Sequence, residues 1–236
     1  MPDFSILEFS RTEWEAILLS LRVGVWSLVI GLPIAVALAL LLARVQFVGK
    51  ALLDSVVHLP LVMPPVVTGY LLLLLLGRQG PLGAFLAESI GLVFAFRWTG
   101  AVVAAIVMAL PLMVRPIRLS IEAVDSQVEA AASTLGAHPV VVFFTVTLPL
   151  ALPGILAAAI LGFARSLGEF GATITFVSNI PGETRTLPLA IYTQTQVPGG
   201  ETAALRLTVV AVLVSLCALI ASELVARRLA RRISET

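Results

Sequence analysis

Long apolar runs bounded by single charges divide the chain. Val23 to Ala43 lies between Arg22 and Arg44, Ser55 to Gly77 between Asp54 and Arg78, and Trp98 to Val114 between Arg97 and Arg115. A helix crosses a hydrocarbon layer of ~30 Å in about 20 residues at ~1.5 Å each, so every one of these runs predicts a membrane span. Pro139 to Ala164 is charge-free for longer than one span needs and contains Pro149 and Pro153. Because an interior proline removes a helical hydrogen bond, the pattern predicts a short surface helix over 139–148 and a span that starts near Leu152 and runs to about Phe176. Leu207 to Ala226, interrupted by Glu223, is the last run. The expected architecture is an all-α integral membrane protein, one domain over 1–236, with five spans near 17–43, 55–77, 98–114, 152–176 and 207–226. Between the third and fourth spans lies a long inner segment of mixed helical character, 115–149, and before the fifth a long outer connection rich in Pro, Gly and Thr.

Composition supports a lipid solvent. The chain is 59% hydrophobic and 12% charged, against about 25% charged residues in an ordinary soluble domain. Its mean hydropathy is +1.05. A net charge of +1 supplies no field for nucleic acid, so no such partner is expected. The tail carries Arg227, Arg228, Arg231 and Arg232, while Met1 to Glu15 holds four acids and one arginine. By the positive-inside rule the C-terminus is cytoplasmic, and an odd number of spans then puts the N-terminus outside. That acidic start also lacks the basic beginning of a secretory signal. Cys217 is the only cysteine and sits in an apolar run, which rules out an internal disulfide. His58 and His138 stand too far apart in sequence to suggest a metal site.

Val128 to Leu135 is built of strong helix formers and closes on Gly136, which suits a short helix with a left-handed cap. On physical grounds alone this is either an amphipathic turn between spans or a surface helix made for a partner's close approach. The order Ala131-Ala132, three residues, Gly136, nine residues, then Val146-Thr147-Leu148-Pro149 resembles the EAA motif of the binding-protein-dependent ABC importer permeases. Two positions depart from it: the glutamate is Glu129, one place early, with Ala130 in its usual slot, and Val146 replaces isoleucine. The resemblance extends from about Trp14 to about Arg228. His58-Leu59-Pro60-Leu61-Val62-Met63-Pro64-Pro65, Arg165-Ser166-Leu167-Gly168-Glu169-Phe170-Gly171 and Gly182-Glu183-Thr184-Arg185 are similar to stretches of the molybdate branch of that family. The sulfate and thiosulfate permeases share the second and third of these.

The resemblance implies an ABC type I importer permease fold and a set of roles. Glu129, Ala131, Ala132, Gly136, Val146, Leu148 and Pro149 would form the coupling element that docks on a cytoplasmic pair of ATP-binding subunits. A second copy of the permease and a periplasmic molybdate-binding protein would complete the assembly, with Glu183 and Arg185 as candidate contacts for the latter. Molybdate, together with tungstate, is the implied cargo, and a sulfate or thiosulfate permease is the alternative. No cofactor is expected on this chain, while ATP and Mg²⁺ would belong to the ATPase.

Arg165 and Glu169 are intramembrane charges, which are costly unless they pair or serve a pathway. Their spacing of four allows a neutral couple that orients the bundle. It equally allows Arg165 to line an anion path with Ser166 and Glu169. Pro64 and Pro65 interrupt the second run, and such a break is tolerated where it faces protein or a cavity, so it is either a packing kink or part of the path.

The motifs of rival functions are missing from the sequence. Lys50 follows Gly49, but Arg44 and Ala51 occupy positions where a phosphate-binding loop needs glycine and a hydroxyl. Neither a His-Glu-x-x-His helix nor a Gly-x-Ser-x-Gly elbow is present. A stand-alone secondary transporter would call for inverted repeats or an intramembrane ion relay, and the sequence displays neither.

Overall fold

A computed structural model describes residues 9–234, with the side chains at 222, 223 and 225–234 outside that description. No strand occurs among the described residues. The helices are α1 (Arg11–Arg44), α2 (Lys50–Val62), α3 (Pro65–Leu76), α4 (Pro81–Ile90), α5 (Trp98–Glu122), α6 (Ser126–Thr134), α7 (Pro139–Val142), α8 (Leu148–Leu167), α9 (Gly171–Val177), α10 (Leu187–Thr195) and α11 (Glu201–Ser234). A π turn, Phe143–Thr147, joins α7 to α8. Four helical stretches are long and apolar enough to cross a membrane: Arg11–Arg44, Trp98–Glu122, Pro139–Leu167 and Glu201–Ala221. The pair α3 and α4, bent by 48°, makes a fifth when taken as one span.

The bundle is organised around α5, which packs along α1 and α8, while α3 lies against α9 and α11 against α8 and α10. Small residues on one stripe of α1 (Ala16, Ser20, Gly24, Ser27, Gly31, Ala35, Ala39) are buried. Without bulky side chains the backbones approach closely, and this is how helices gain packing in lipid, where hydrophobic burial supplies little drive. Facing them, Ala101, Ala104, Ala105 and Ala109 of α5 and Ala151, Ala158 and Gly162 of α8 are buried too. The larger apolar residues of α1, such as Trp26, Val29, Ile30 and Ile34, point outward. At its start, Ser10 and Glu13 form a capping box: the Glu13 N–H donates to Ser10 Oγ at 3.3 Å and the Ser10 N–H to Glu13 Oε2 at 2.6 Å. Buried Glu13 also accepts from Arg206 Nε of α11 at 3.1 Å, fastening first helix to last.

Several predicted boundaries move. The first, third and fifth spans belong to longer helices, 11–44, 98–122 and 201–234. The predicted 55–77 span is two helices separated at Met63 and Pro64, and Pro60 stays within α2. The predicted 152–176 span is corrected twice. Upstream, 139–148 is no separate surface helix, because helical structure is continuous from Pro139 to Leu167. The π turn lies where the Pro149 ring would meet the carbonyl four residues back, and the wider turn relieves that clash. Downstream, the helix stops at Leu167 and restarts at Gly171.

Gly69 permits the α3–α9 contact: a Cβ there would lie 2.5 Å from the Ala172 carbonyl oxygen and 2.8 Å from its Cα. Backbone atoms cannot yield as a flexible side chain can. Gly69→Val is therefore expected to destabilise the folded permease by about 1–3 kcal/mol, seen as a lower unfolding midpoint in detergent. An unchanged midpoint would show that the two helices do not hold each other.

Candidate functional site

The residues expected from the sequence fall into three groups in the structure, one around α6, one at the helix breaks and one in the connection before α11. At the inner end α5 stops at Glu122, and Asp125 caps α6 by accepting from the Gln127 N–H at 2.8 Å. Gly136, at φ +86°, turns the chain after α6 in the left-handed region, with open space around it. His138 then caps α7 through Nδ1, which accepts from the Val140 N–H at 3.4 Å. Ala131 and Gly136 are exposed, while Ala132, Val146, Leu148 and Pro149 are half-buried. No residue of α6 is fully buried. Its surroundings present apolar side chains outward: Val128, Leu135, Val140 and Phe144 are 47–89% exposed.

Glu129 differs from the rest of α6 by pointing into the bundle. Its Oε1 accepts from Arg44 Nη2 of α1 at 2.9 Å and from the Thr147 hydroxyl of the π turn at 2.6 Å. The Arg44 group also donates to the Ile121 carbonyl near the end of α5, at 3.1 Å. Neither Arg44 nor Thr147 was singled out by the sequence. Thr147 was quoted only as part of the motif, and Arg44 lies 85 residues from Glu129.

The second group lies where two helices break. Pro64 caps α3 and Pro65 is its first residue. A Cβ on Gly171 would lie 2.8 Å from Pro65 Cβ, so the Met63–Pro64 interruption sits beside the one at Gly168–Phe170. Glu169 therefore lies in a break, and the expectation that it shares a helical face with Arg165 is corrected. The two side chains still pair: Arg165 Nη1 is 2.6 Å from Glu169 Oε2. Glu169 Oε1 accepts from the Ala172 N–H at 2.8 Å and so caps α9. Glu169 is buried, whereas the Arg165 side chain retains 26% exposure. Ser166 does not share that opening. It is buried, with its hydroxyl 2.8 Å from that of Ser27 on α1 and 2.8 Å from the Gly162 carbonyl. The structure thus gathers Pro65, Arg165 and Glu169 around the paired breaks and turns Ser166 toward α1.

In the third group Glu183 and Arg185 are only part-exposed. Glu183 Oε1 accepts from the Trp98 N–H at the start of α5, at 3.4 Å. Arg185 Nε donates to Asn179 Oδ1 at 2.9 Å, and the Asn179 amide donates to the Thr193 hydroxyl of α10 at 2.8 Å. Buried Thr184 accepts from the Ile180 N–H at 2.9 Å. These polar groups knit the connection together.

A cavity of about 370 Å³ between α2 and α5, which no sequence motif marks, is lined by Asp54, His58, Arg115, Arg118, Leu119 and Glu122. Arg118 bridges the two helices, with Nη1 3.2 Å from Asp54 Oδ1 and Nε 2.8 Å from Glu122 Oε1. His58 Nδ1 lies 2.9 Å from the Asp54 carbonyl. The spacings of four, Asp54 to His58 and Arg118 to Glu122, are the local signal for this cluster. Among the described residues no three His, Cys, Asp or Glu side chains gather to hold a metal ion.

Comparison with known proteins gives these arrangements a family. The chain is 59% identical over 215 residues to the molybdenum transport system permease protein ModB of Escherichia coli (strain K12), covering 91% of this chain and 94% of that one. It is 55% identical over 223 residues to ModB of Haemophilus influenzae, covering 94% and 97%. A solved bacterial alginate ABC transporter, in complex with an alginate pentasaccharide-bound periplasmic protein, contains a chain that superposes with a TM-score of 0.74 at 20% identity, covering 100% of this chain and 84% of that one. Residues 31–232 match the family described as binding-protein-dependent transport system inner membrane component, and the chain belongs to that family.

Proposed function

We propose that this chain is the permease subunit of an ATP-driven importer that carries molybdate, and tungstate with it, across the cytoplasmic membrane. The observation that carries the cargo is sequence identity above one half to molybdenum permeases over nearly the whole of both chains. The permease performs no ATP chemistry itself. ATP and Mg²⁺ belong to a pair of ATP-binding subunits, a second copy of this chain completes the membrane path, and a periplasmic molybdate-binding protein delivers the anion. The α6 end is cytoplasmic and the N-terminus periplasmic. Arg44, Lys50, Arg115 and Arg118 at the inner ends of α1, α2 and α5 support that orientation. The arginine tail, the other support, has its side chains outside the described residues.

Transport proceeds by alternating access. Closure of the ATP-binding pair moves the segment Glu129 to Pro149, whose exposed Ala131, Leu135 and Gly136 form the docking face. The half-buried Val146, Leu148 and Pro149 connect that face to α8. The anion passes the paired helix breaks, where part-exposed Arg165 offsets its charge with Pro64, Pro65 and Glu169 close by. A neutralised arginine makes a weak contact, and weak contacts allow an ion to leave. Glu183 and Arg185 act in the outer connection by holding the surface that receives the binding protein.

The direct test is uptake of labelled molybdate into vesicles containing the permease, its cognate ATPase and the binding protein. ATP-dependent uptake with strong competition by tungstate and weak competition by sulfate is expected. Stronger competition by sulfate would assign the chain to sulfate transport, and uptake without the ATPase would make it a stand-alone transporter.

Gly136→Asp adds a charge to the docking face at a position where side chains meet open space and where aspartate tolerates the backbone. The variant is expected to fold and lose uptake. Normal uptake would remove Gly136 from the docking face.

Arg165→Ala alone strands the buried Glu169 carboxylate, a loss of about 3–5 kcal/mol in stability. Arg165→Ala with Glu169→Gln removes both charges and keeps an acceptor for the Ala172 N–H. The double variant is expected to assemble but transport poorly. If it transported normally, the pair would be structural only.

A further inference from the structure

The α6 helix is poorly anchored by packing. No residue of α6 is fully buried, and the chain leaves it through Gly136, which offers no steric support. Force applied to α6 therefore needs a polar route into the bundle as well as the covalent one. Glu129 provides that route: its carboxylate oxygen takes one bond from Arg44 at the end of α1 and one from Thr147 in the π turn before α8. Arg44 extends the contact to the Ile121 carbonyl near the end of α5, which also accepts from the Val124 N–H at 3.2 Å. Bonds between ionised partners are stronger than neutral ones, and the two bonded side chains are only 20% and 30% exposed, so solvent weakens them less than it would on an open surface.

We infer that Glu129 is a force-transmitting joint inside the permease, held by Arg44 and Thr147, and not the residue that grips the ATPase. This rests on the permease reading and adds a division of labour within the motif. Ala131, Leu135 and Gly136 meet the partner, while Glu129 passes their movement to α1 and α8. The π turn is where the motion enters α8. Its Leu148 N–H reaches back five residues to the Phe143 carbonyl, and the Thr147 hydroxyl at the end of that turn is clamped to Glu129. A pull on the Thr147 hydroxyl therefore acts directly on the turn from which α8 begins.

The test uses the complete transporter in vesicles, with labelled molybdate and ATP as probes, and reads three quantities: ATPase co-purification, uptake, and ATP hydrolysed per anion moved. Glu129→Gln and the near-isosteric Thr147→Val should retain the ATPase and its hydrolysis but lose uptake by about fivefold or more, the low end of an ordinary coupling free energy. Arg44→Glu or Glu129→Arg alone should do the same. Combined, they should restore uptake toward wild type, because an internal pair survives reversal and a contact to an unaltered partner does not. Release of the ATPase by Glu129→Gln, unchanged uptake in Thr147→Val, or no rescue by the swapped pair would each overturn the joint. A wild-type chain that captures no ATPase and drives no uptake would instead refute the permease reading beneath it.

Discussion

A helix that breaks among apolar helices exposes backbone groups that neither lipid nor apolar side chains can satisfy, and much of this fold follows from hiding two such breaks. They are hidden against each other. Pro65, at the start of α3, touches the position of Gly171, at the start of α9, and the close approach at Gly69 keeps the two helices in register. Glu169 satisfies the Ala172 N–H at one break, and its own charge is met by Arg165 from the preceding helix. Proline, glycine, acid and arginine thus appear together because each answers a requirement created by the others.

The same economy governs the inner end. Arg44 at the end of α1 donates both to the Ile121 carbonyl of α5 and to Glu129 of α6, and Glu129 takes a second bond from Thr147 before α8, so these elements meet in one cluster. Arg118 does the equivalent between α2 and α5 through Asp54 and Glu122. The segment around α6 is therefore a structural seam, which gives a helix with no fully buried residue a defined position.

Run length made four of the five expected spans legible in the sequence, since crossing a bilayer is first a matter of uninterrupted apolar residues. Local composition made the short helix before Gly136 legible, since helix formers run up to a glycine that the structure places in the left-handed region. The stops at Pro64 and before Gly136 were legible, and the other places where helices stop were not. Pro60, Pro149 and Pro153 all lie within helical structure, whereas the stop at Leu167 has no proline near it. A proline reports a missing donor, but tertiary neighbours decide whether the helix ends there. The partners of Glu129 and Glu13 were hidden for a related reason, because Arg44 and Arg206 lie 85 and 193 residues away and no local period connects them.

The length of α1 has a further consequence. Its 34 residues span about 51 Å at ~1.5 Å per residue, well beyond the ~30 Å hydrocarbon layer. Glu13 and Arg44, near its two ends, stand about 46 Å apart by the same rise. The two ion-pair clusters on this helix are therefore held at opposite ends of a rod longer than the hydrocarbon layer is thick. Glu13 and Arg206 are only 3% and 14% exposed, and a pair so far buried is screened little by salt. The small-residue seam is consequently pinned at both ends by charges that the surrounding ions barely weaken.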